Sequence, residues 1–317
     1  MAYLTGSASS FIDLKAAIES GCTANGWTLS NSILSKSGVF IKLVATSANI
    51  IISGGNGQSG SSLTDECPRT SKIFQPTHAA AIAIVFPVLY ELFIYDNPIE
   101  VFCVINYNSD FYQNICFGKS NVASLPGSGN WFGASSAGGL SESNSRASFF
   151  TGGTSTTFLG SASSTTHTSY ICGFPFFVAY SASSTYSNYY VHSNLDSKGW
   201  NYLPGADTTG DLLGPSYCAS LINALPSPFN NSSPLIPIKA LVCRDSYGQS
   251  IVAQLENMKH VRIDNLLPGE IITLGSDKWK IYPHFRKDSL NRKLGSESTT
   301  PAGSSGTLGV AIRFEGV

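Results

Sequence analysis

The sequence predicts a mainly β fold: an antiparallel β-sandwich or barrel-like domain with one N-terminal helix and a long Ser/Thr/Gly-rich excursion. Three observations carry that prediction. Short runs rich in Ile, Val, Phe and Tyr recur along most of the 317 residues, parted by Asn, Asp, Gly and Pro in turn-forming combinations. Only one stretch, near the start, places apolar residues at helical spacing. The 18 Phe, 14 Tyr and 4 Trp stand beside a charged fraction of 12%, whereas disordered chains pair high charge with few aromatics.

The helix comes first. Ser9 or Ser10 suits its N-cap, Phe11, Leu14, Ala17 and Ile18 share one face, and Gly21 or Gly26 can end it. It is expected to lie as a lid on a small meander of strands at Thr28 to Ser30, Ile33 to Lys36, Val39 to Val44 and Asn49 to Ser53. Gly54 to Thr77 reads as a loop. Leu89 to Gly118 then reads as three antiparallel strands, cut at Asp96-Asn97-Pro98 and Asn108-Ser109-Asp110. In the middle run Val101, Cys103 and Ile105 alternate with Phe102 and Val104, so both faces are apolar, and a central strand covered above and below is expected. A turn through Ser109-Asp110 is expected to set Cys103 opposite Cys116 as free thiols, whereas a three-residue turn, Asn108 to Asp110, would part them.

Ser120 to Ser169 changes composition to Ser, Thr, Gly and Asn, with isolated aromatics at Trp131, Phe132, Phe149, Phe150 and Phe158. A compact domain gains little from so long a structureless loop, so the expectation is an insertion that docks elsewhere, with those five aromatics as its contacts. Residues 1–119 and 170–317 are read as parts of one domain around it. Strands resume at Tyr170 to Tyr180, Tyr186 to His192 and Trp200 to Leu203, while Leu212 to Asn223 fits a short helix or a loop. The last strands are expected at Ile238 to Arg244, Ser250 to Leu255, Val261 to Ile263, Glu270 to Leu274, Lys278 to Tyr282 and Thr307 to Phe314.

A net charge of −1, with no long basic stripe, argues against nucleic-acid sequence recognition. The longest apolar run, Ala79 to Leu89, is too short to span a bilayer, so no membrane insertion is expected. The opening Met-Ala-Tyr-Leu-Thr-Gly lacks the basic and apolar regions of a signal peptide, and cytosolic synthesis follows. Seven scattered cysteines without a C-x-x-C pair are expected as free thiols rather than a disulfide framework or a zinc site. Sparse charge beside abundant Ser, Thr and Asn gives an exterior that tolerates packing against copies of itself.

Motifs that could carry chemistry are few. Gly55-Asn56-Gly57-Gln58-Ser59-Gly60 matches a dinucleotide-binding pattern, but no helical stripe follows to hold a pyrophosphate, and a Gly/Ser loop is the reading preferred. No serine has the flanking glycines of a nucleophile elbow. His78, His167, His192, His260 and His284 are dispersed; His192 and His284 fall near strand ends, where a triad member could sit, without a partner visible. Glu91, Glu100, Asp196, Asp207 and Asp211 are the carboxylates considered for a glycosidase pair. Trp131, Tyr189, Tyr190 and Trp200 are the aromatics that could stack on sugar rings, against the plainer reading of core residues or subunit contacts. No catalytic, cofactor-binding or metal-ligating residue is assigned, and an enzyme is not expected.

Three groups of residues together resemble a known class. They are the helix running into Ala24-Asn25-Gly26-Trp27; the central Asn97-Pro98-Ile99-Glu100-Val101, Asn106-Tyr107, Phe117-Gly118-Lys119 and Gly129-Asn130-Trp131-Phe132-Gly133-Ala134; and the end, Pro268-Gly269-Glu270-Ile271-Ile272-Thr273, Lys278-Trp279-Lys280-Ile281-Tyr282-Pro283 and Gly306-Thr307-Leu308-Gly309-Val310-Ala311-Ile312-Arg313. The chain resembles virion structural proteins of tailed bacteriophages, of the tail, neck or collar type. That resemblance implies a subunit made in the infected bacterial cytoplasm and built into the virion, in a symmetric ring of copies beside other tail or neck proteins. A tail-tip glycan-binding module is the alternative, and a glycan-cleaving tail enzyme a lesser one.

Overall fold

The computed structural model describes residues 1–75, 83–137, 173–176, 188–201, 212–213, 227, 229–230, 232–244, 248–287 and 308–316. Three stacked antiparallel sheets account for most of them, and the fold is mainly β with one α-helix, as the sequence predicts. The central sheet runs in the order β1 (Ala2–Ala8), β9 (Val88–Asp96), β10 (Ile99–Tyr107), β11 (Phe111–Lys119), β12 (Asn130–Ala134), β14 (Tyr189–His192), β15 (Trp200–Asn201). The second sheet runs β13 (Ser136–Ala137), β8 (Ser71–Phe74), β5 (Asn49–Gly55), β4 (Val39–Ala45), β3 (Ile33–Lys36), β2 (Thr28–Ser30). The third runs β16 (Leu212–Leu213), β17 (Ile236–Cys243), β18 (Gln249–Arg262), β21 (Leu308–Arg313), β20 (Asp277–Pro283), β19 (Ile271–Leu274). A small hairpin, β6 (Gly57–Ser59) and β7 (Ser62–Thr64), caps one end.

The period of two along each strand explains the stacking. From the central sheet, Leu92, Ile94, Val101, Cys103, Ile115, Phe117 and Phe132 pack with Ile41, Leu43, Ile50 and Ile52 of the second sheet. Their alternates Phe93, Tyr95, Phe102, Val104, Cys116 and Trp131 pack with Ile238, Val252, Leu255, Tyr282 and Val310 of the third. Strand β10 is therefore buried on both faces, as expected for the middle of the meander. The third sheet has an apolar cluster on its outward side too, Val261, Ile263, Trp279, Ile281 and Ala311, packed by Leu235, Leu266 and Ile272.

Helix α1 (Phe11–Ala24) starts where Ser10 accepts a hydrogen bond from Asp13 N at 3.1 Å, and buries Phe11, Leu14, Ile18 and Cys22 in the first of these cores. Gly21 does not end the helix. It lies inside it because a Cβ there would come within 2.5 Å of Leu92 Cδ2, so the residue serves close helix–sheet approach. The helix stops at Asn25, followed by Gly26 at φ +80°.

Several expectations are corrected. The β10–β11 turn has three residues, with Tyr107 opposite Phe111 and left-handed Asn108 and Ser109, so Cys103 faces Ile115 and Cys116 faces Phe102. The two thiols thus lie on opposite sides of the sheet; both are free, as are Cys22, Cys67 and Cys243. Gly54 to Thr77 holds β6, β7 and β8 rather than only loop. The excursion does not begin at Ser120: Asn130–Ala134 is an inner strand of the central sheet, and residues 138–169 lie outside the described residues. Gly173 to Phe176, expected within a strand, forms a turn, and the rest of Tyr170 to Tyr180 lies outside the described residues. Strands expected separately at Ser250 and Val261 are one strand, β18, whose pairing jumps from Ile238–Leu255 to Pro237–Lys259, leaving residues 256–258 bulged.

Candidate functional site

Among the described residues, polar side chains converge where the second and central sheets end together. Strand β5 runs into Asn56, the β6–β7 hairpin returns the chain to Asp65, the turn before β12 delivers Ser128 and the strand's first residue Asn130, and β14 ends at His192 where β15 begins at Trp200. The turn can come this close because Gly127 has no side chain: a Cβ there would lie 2.5 Å from the carbonyl oxygen of His192.

Ser128, His192 and Asp65 are the residue types of a nucleophilic triad, so their connections decide what they can do. The backbone N–H of Ser128 donates to His192 Nδ1 at 2.9 Å, which occupies the lone pair a general base would use. The ring proton accordingly sits on Nε2, facing Asp65 Oδ2 at 3.2 Å. Ser128 Oγ lies 3.1 Å from Nδ1, but its hydroxyl donates to Asn56 Oδ1 at 2.6 Å. Burial holds the His192 pKa below the ordinary imidazole value, with the Asp65 charge pulling the other way. Asn56 also donates to Asp65, Asn130 Nδ2 reaches Asn56 Oδ1 at 3.1 Å and Gly38 O at 2.8 Å, and Trp200 Nε1 donates to Asp65 O at 2.8 Å. These bonds use most of the cluster's donors and acceptors and fasten the capping hairpin to the central sheet, while Asn130 Oδ1 is buried without a partner and the Asp65 carboxylate stays open to solvent. Of these residues the sequence singled out His192, Trp200, the Gly55–Gly60 stretch and, within the resemblance, Asn130, each for a different reason, and no spacing among them signalled that they meet.

The other predicted positions have definite places. Trp131 and Tyr189 are buried against Phe176 in the core beneath the third sheet, and Phe132, Tyr190 and Trp200 pack together in the core beneath the second. These five are interior to this chain, which corrects their reading as contact or sugar-stacking residues: strand alternation turns each into a sheet interface. Phe149, Phe150 and Phe158 lie outside the described residues, as do His78, His167, Asp207 and Asp211. Glu91 binds Tyr3 and Lys280, and Asp196 pairs with Arg244 at 2.9 Å.

Glu100 is fully buried. Its carboxylate accepts from Glu256 N at 2.8 Å, Asn257 N at 2.9 Å and Asn257 Nδ2 at 3.0 Å, so it satisfies the backbone that the β18 bulge leaves unpaired. Burial pushes its pKa up to about 7 against the pull of those bonds and of Lys259. His260 and His284 are buried side by side, ring centroids 6.4 Å apart, and burial pushes both pKa values down, that of His260 to about 3. Among the described residues no three His, Cys, Asp or Glu side chains are grouped to hold a metal ion.

No protein-family model matches the chain, and no curated protein matches it.

Proposed function

We propose that this chain is a structural subunit of a tailed bacteriophage virion, in the tail, neck or collar, working through contacts with copies of itself in a ring and with neighbouring virion proteins. The observation that carries the reading is that, among the described residues, the reactive-looking groups are engaged with one another. Ser128, His192, Asp65 and Asn56 bond to one another and to backbone, and the aromatics that a sugar would need fill the two cores. What the described residues offer outward is a β surface on a three-layer frame, in a chain of low charge. The resemblance of its turn and strand motifs to virion proteins supplies the setting. Mass spectrometry of gradient-purified particles, followed by labelling with antibody against the chain, tests it: the reading expects the chain at fixed stoichiometry and at one place on the particle, and its absence from intact particles overturns it.

A further inference from the structure

The layers are stacked strand on strand. Strand β10 lies over β18 through Glu100 and the Glu256–Asn257 amides, β9 over β21 through Tyr95 and the Arg313 carbonyl, and β1 over β20 through Tyr3 and Lys280. The central sheet ends there at β1, whereas the third sheet carries one more strand, β19. This flank is a step one strand deep. On β19, Ile271 and Thr273 point to the same side as Lys280, toward the space that the central sheet does not reach, and both are exposed, Ile271 by 45%.

Among the described residues nothing pairs with either edge of the step. Strand β1 pairs only with β9 and β19 only with β20, and among the described residues neither makes any other backbone hydrogen bond. Proteins guard such edges with charge, proline or a bulge, because an unpaired row of N–H and C=O groups templates another strand. Ala-Tyr-Leu-Thr-Gly-Ser-Ala and Ile-Ile-Thr-Leu contain none of these guards. The charges that border them balance: Lys280 pairs with Glu91, Arg313 with Asp277 and Glu315, and exposed Lys278 and Glu270 beside β19 add one of each sign, so neither sign dominates.

We propose that this stepped flank is a self-association surface, and that its occupant is the same flank of a second copy of the chain, turned so that β19 of each copy lies beside β1 of the other. A two-fold axis running between the layers exchanges the recessed sheet for the projecting one, so a step fits its own copy as a lap joint. Each joint extends two sheets at once, and balanced charge makes the surface complementary to itself. The proposal rests on the reading that the chain works by contact with its copies, and adds which surface makes the contact.

The test measures the association state of the full chain by sedimentation over a range of concentrations, then treats the single variants Thr5→Cys and Thr273→Cys, the double variant and the unsubstituted chain with a short bismaleimide. A reversible dimer, with the covalent dimer formed efficiently by the double variant and not by the others, is the result expected. Thr5→Pro and Thr273→Pro should shift the dimer to monomer with the far-ultraviolet circular dichroism retained; if either fails to fold, the cross-linking decides. A chain that is monomeric throughout overturns both this joint and the self-contact reading. A chain that associates without cross-linking in the double variant, or with each single variant cross-linking to itself, overturns the lap joint and leaves the wider reading standing.

Discussion

Glu100 and His260 pull the pH dependence of stability in opposite directions, which makes single residues visible in it. The folded pKa of Glu100, about 7, is above the model-compound value of 4.5, so the folded state holds that proton more tightly. Its contribution is complete below the unfolded pKa and is lost as pH rises from 4.5 through 7, by on the order of 3 kcal/mol. His260 has the opposite sign: its folded pKa, about 3, is below 6.5, so its contribution is present above 6.5 and lost as pH falls. Urea unfolding of the protein and of Glu100→Gln at pH 5 and pH 7.5 should separate them. The difference in stability between the two proteins should shrink as pH rises, because only the parent loses the Glu100 term; a difference independent of pH would show that Glu100 keeps one charge state throughout. At pH 5 the variant should be weaker by roughly 1–3 kcal/mol, since its amide turns a donor toward N–H groups that need acceptors. In the polar cluster, Ser128→Ala should cost about 1 kcal/mol by removing the bond to Asn56, read as a lowered melting temperature.

At the scale of elements, what the sequence revealed was whatever local chemistry decides. The hairpins from Thr28 to Gly55 follow from turn residues and alternation, and the structure places them within two residues of expectation. The strand β1 was invisible because Ala, Gly and Ser interrupt its pattern; only its pairing with β9 makes it a strand. Strand β12 was hidden for a related reason, five residues set in Ser/Gly-rich chain whose neighbours in the sheet include β14, more than fifty residues on. The polar cluster combines both difficulties, since its members come from five separate segments and no spacing links them. Gly21 shows the limit within one helix: sequence offers it as a terminator, whereas packing against Leu92 is its reason. Gly21→Ala should therefore destabilise the protein by roughly 1–3 kcal/mol through overpacking, although alanine favours an isolated helix by about 1 kcal/mol. Ser10→Ala should cost about 1 kcal/mol through loss of the cap. Denaturant midpoints would measure both, and a stabilised Gly21→Ala would mean that Leu92 yields freely.

For the whole molecule the consequence of three layers is that no sheet owns its core. The central sheet lends one face to the second sheet and α1 and the other to the third, so removing either partner strips apolar side chains of β10 that have no other cover. That sharing was legible only in part, since two apolar faces on one strand predict cover on both sides without saying what covers them. It also predicts cooperativity, because exposing one core costs its burial energy, roughly 2 kcal/mol per large side chain, and leaves the other core with half a wall. Trp27 reports the second-sheet side and Trp279 the outward face of the third. In variants that keep one of these two tryptophans, with the remaining indoles replaced by phenylalanine, fluorescence should follow unfolding curves with the same midpoint and slope as far-ultraviolet circular dichroism of the same variant. If the Trp279 transition precedes the rest, the third sheet opens as a unit of its own, and the Glu100 bonds to the β18 bulge then belong to a separable contact rather than to a common frame. The stacking of β10 on β18 through a fully buried carboxylate argues for the common frame, because parting the layers would strand those amides without acceptors as well as expose the core between them.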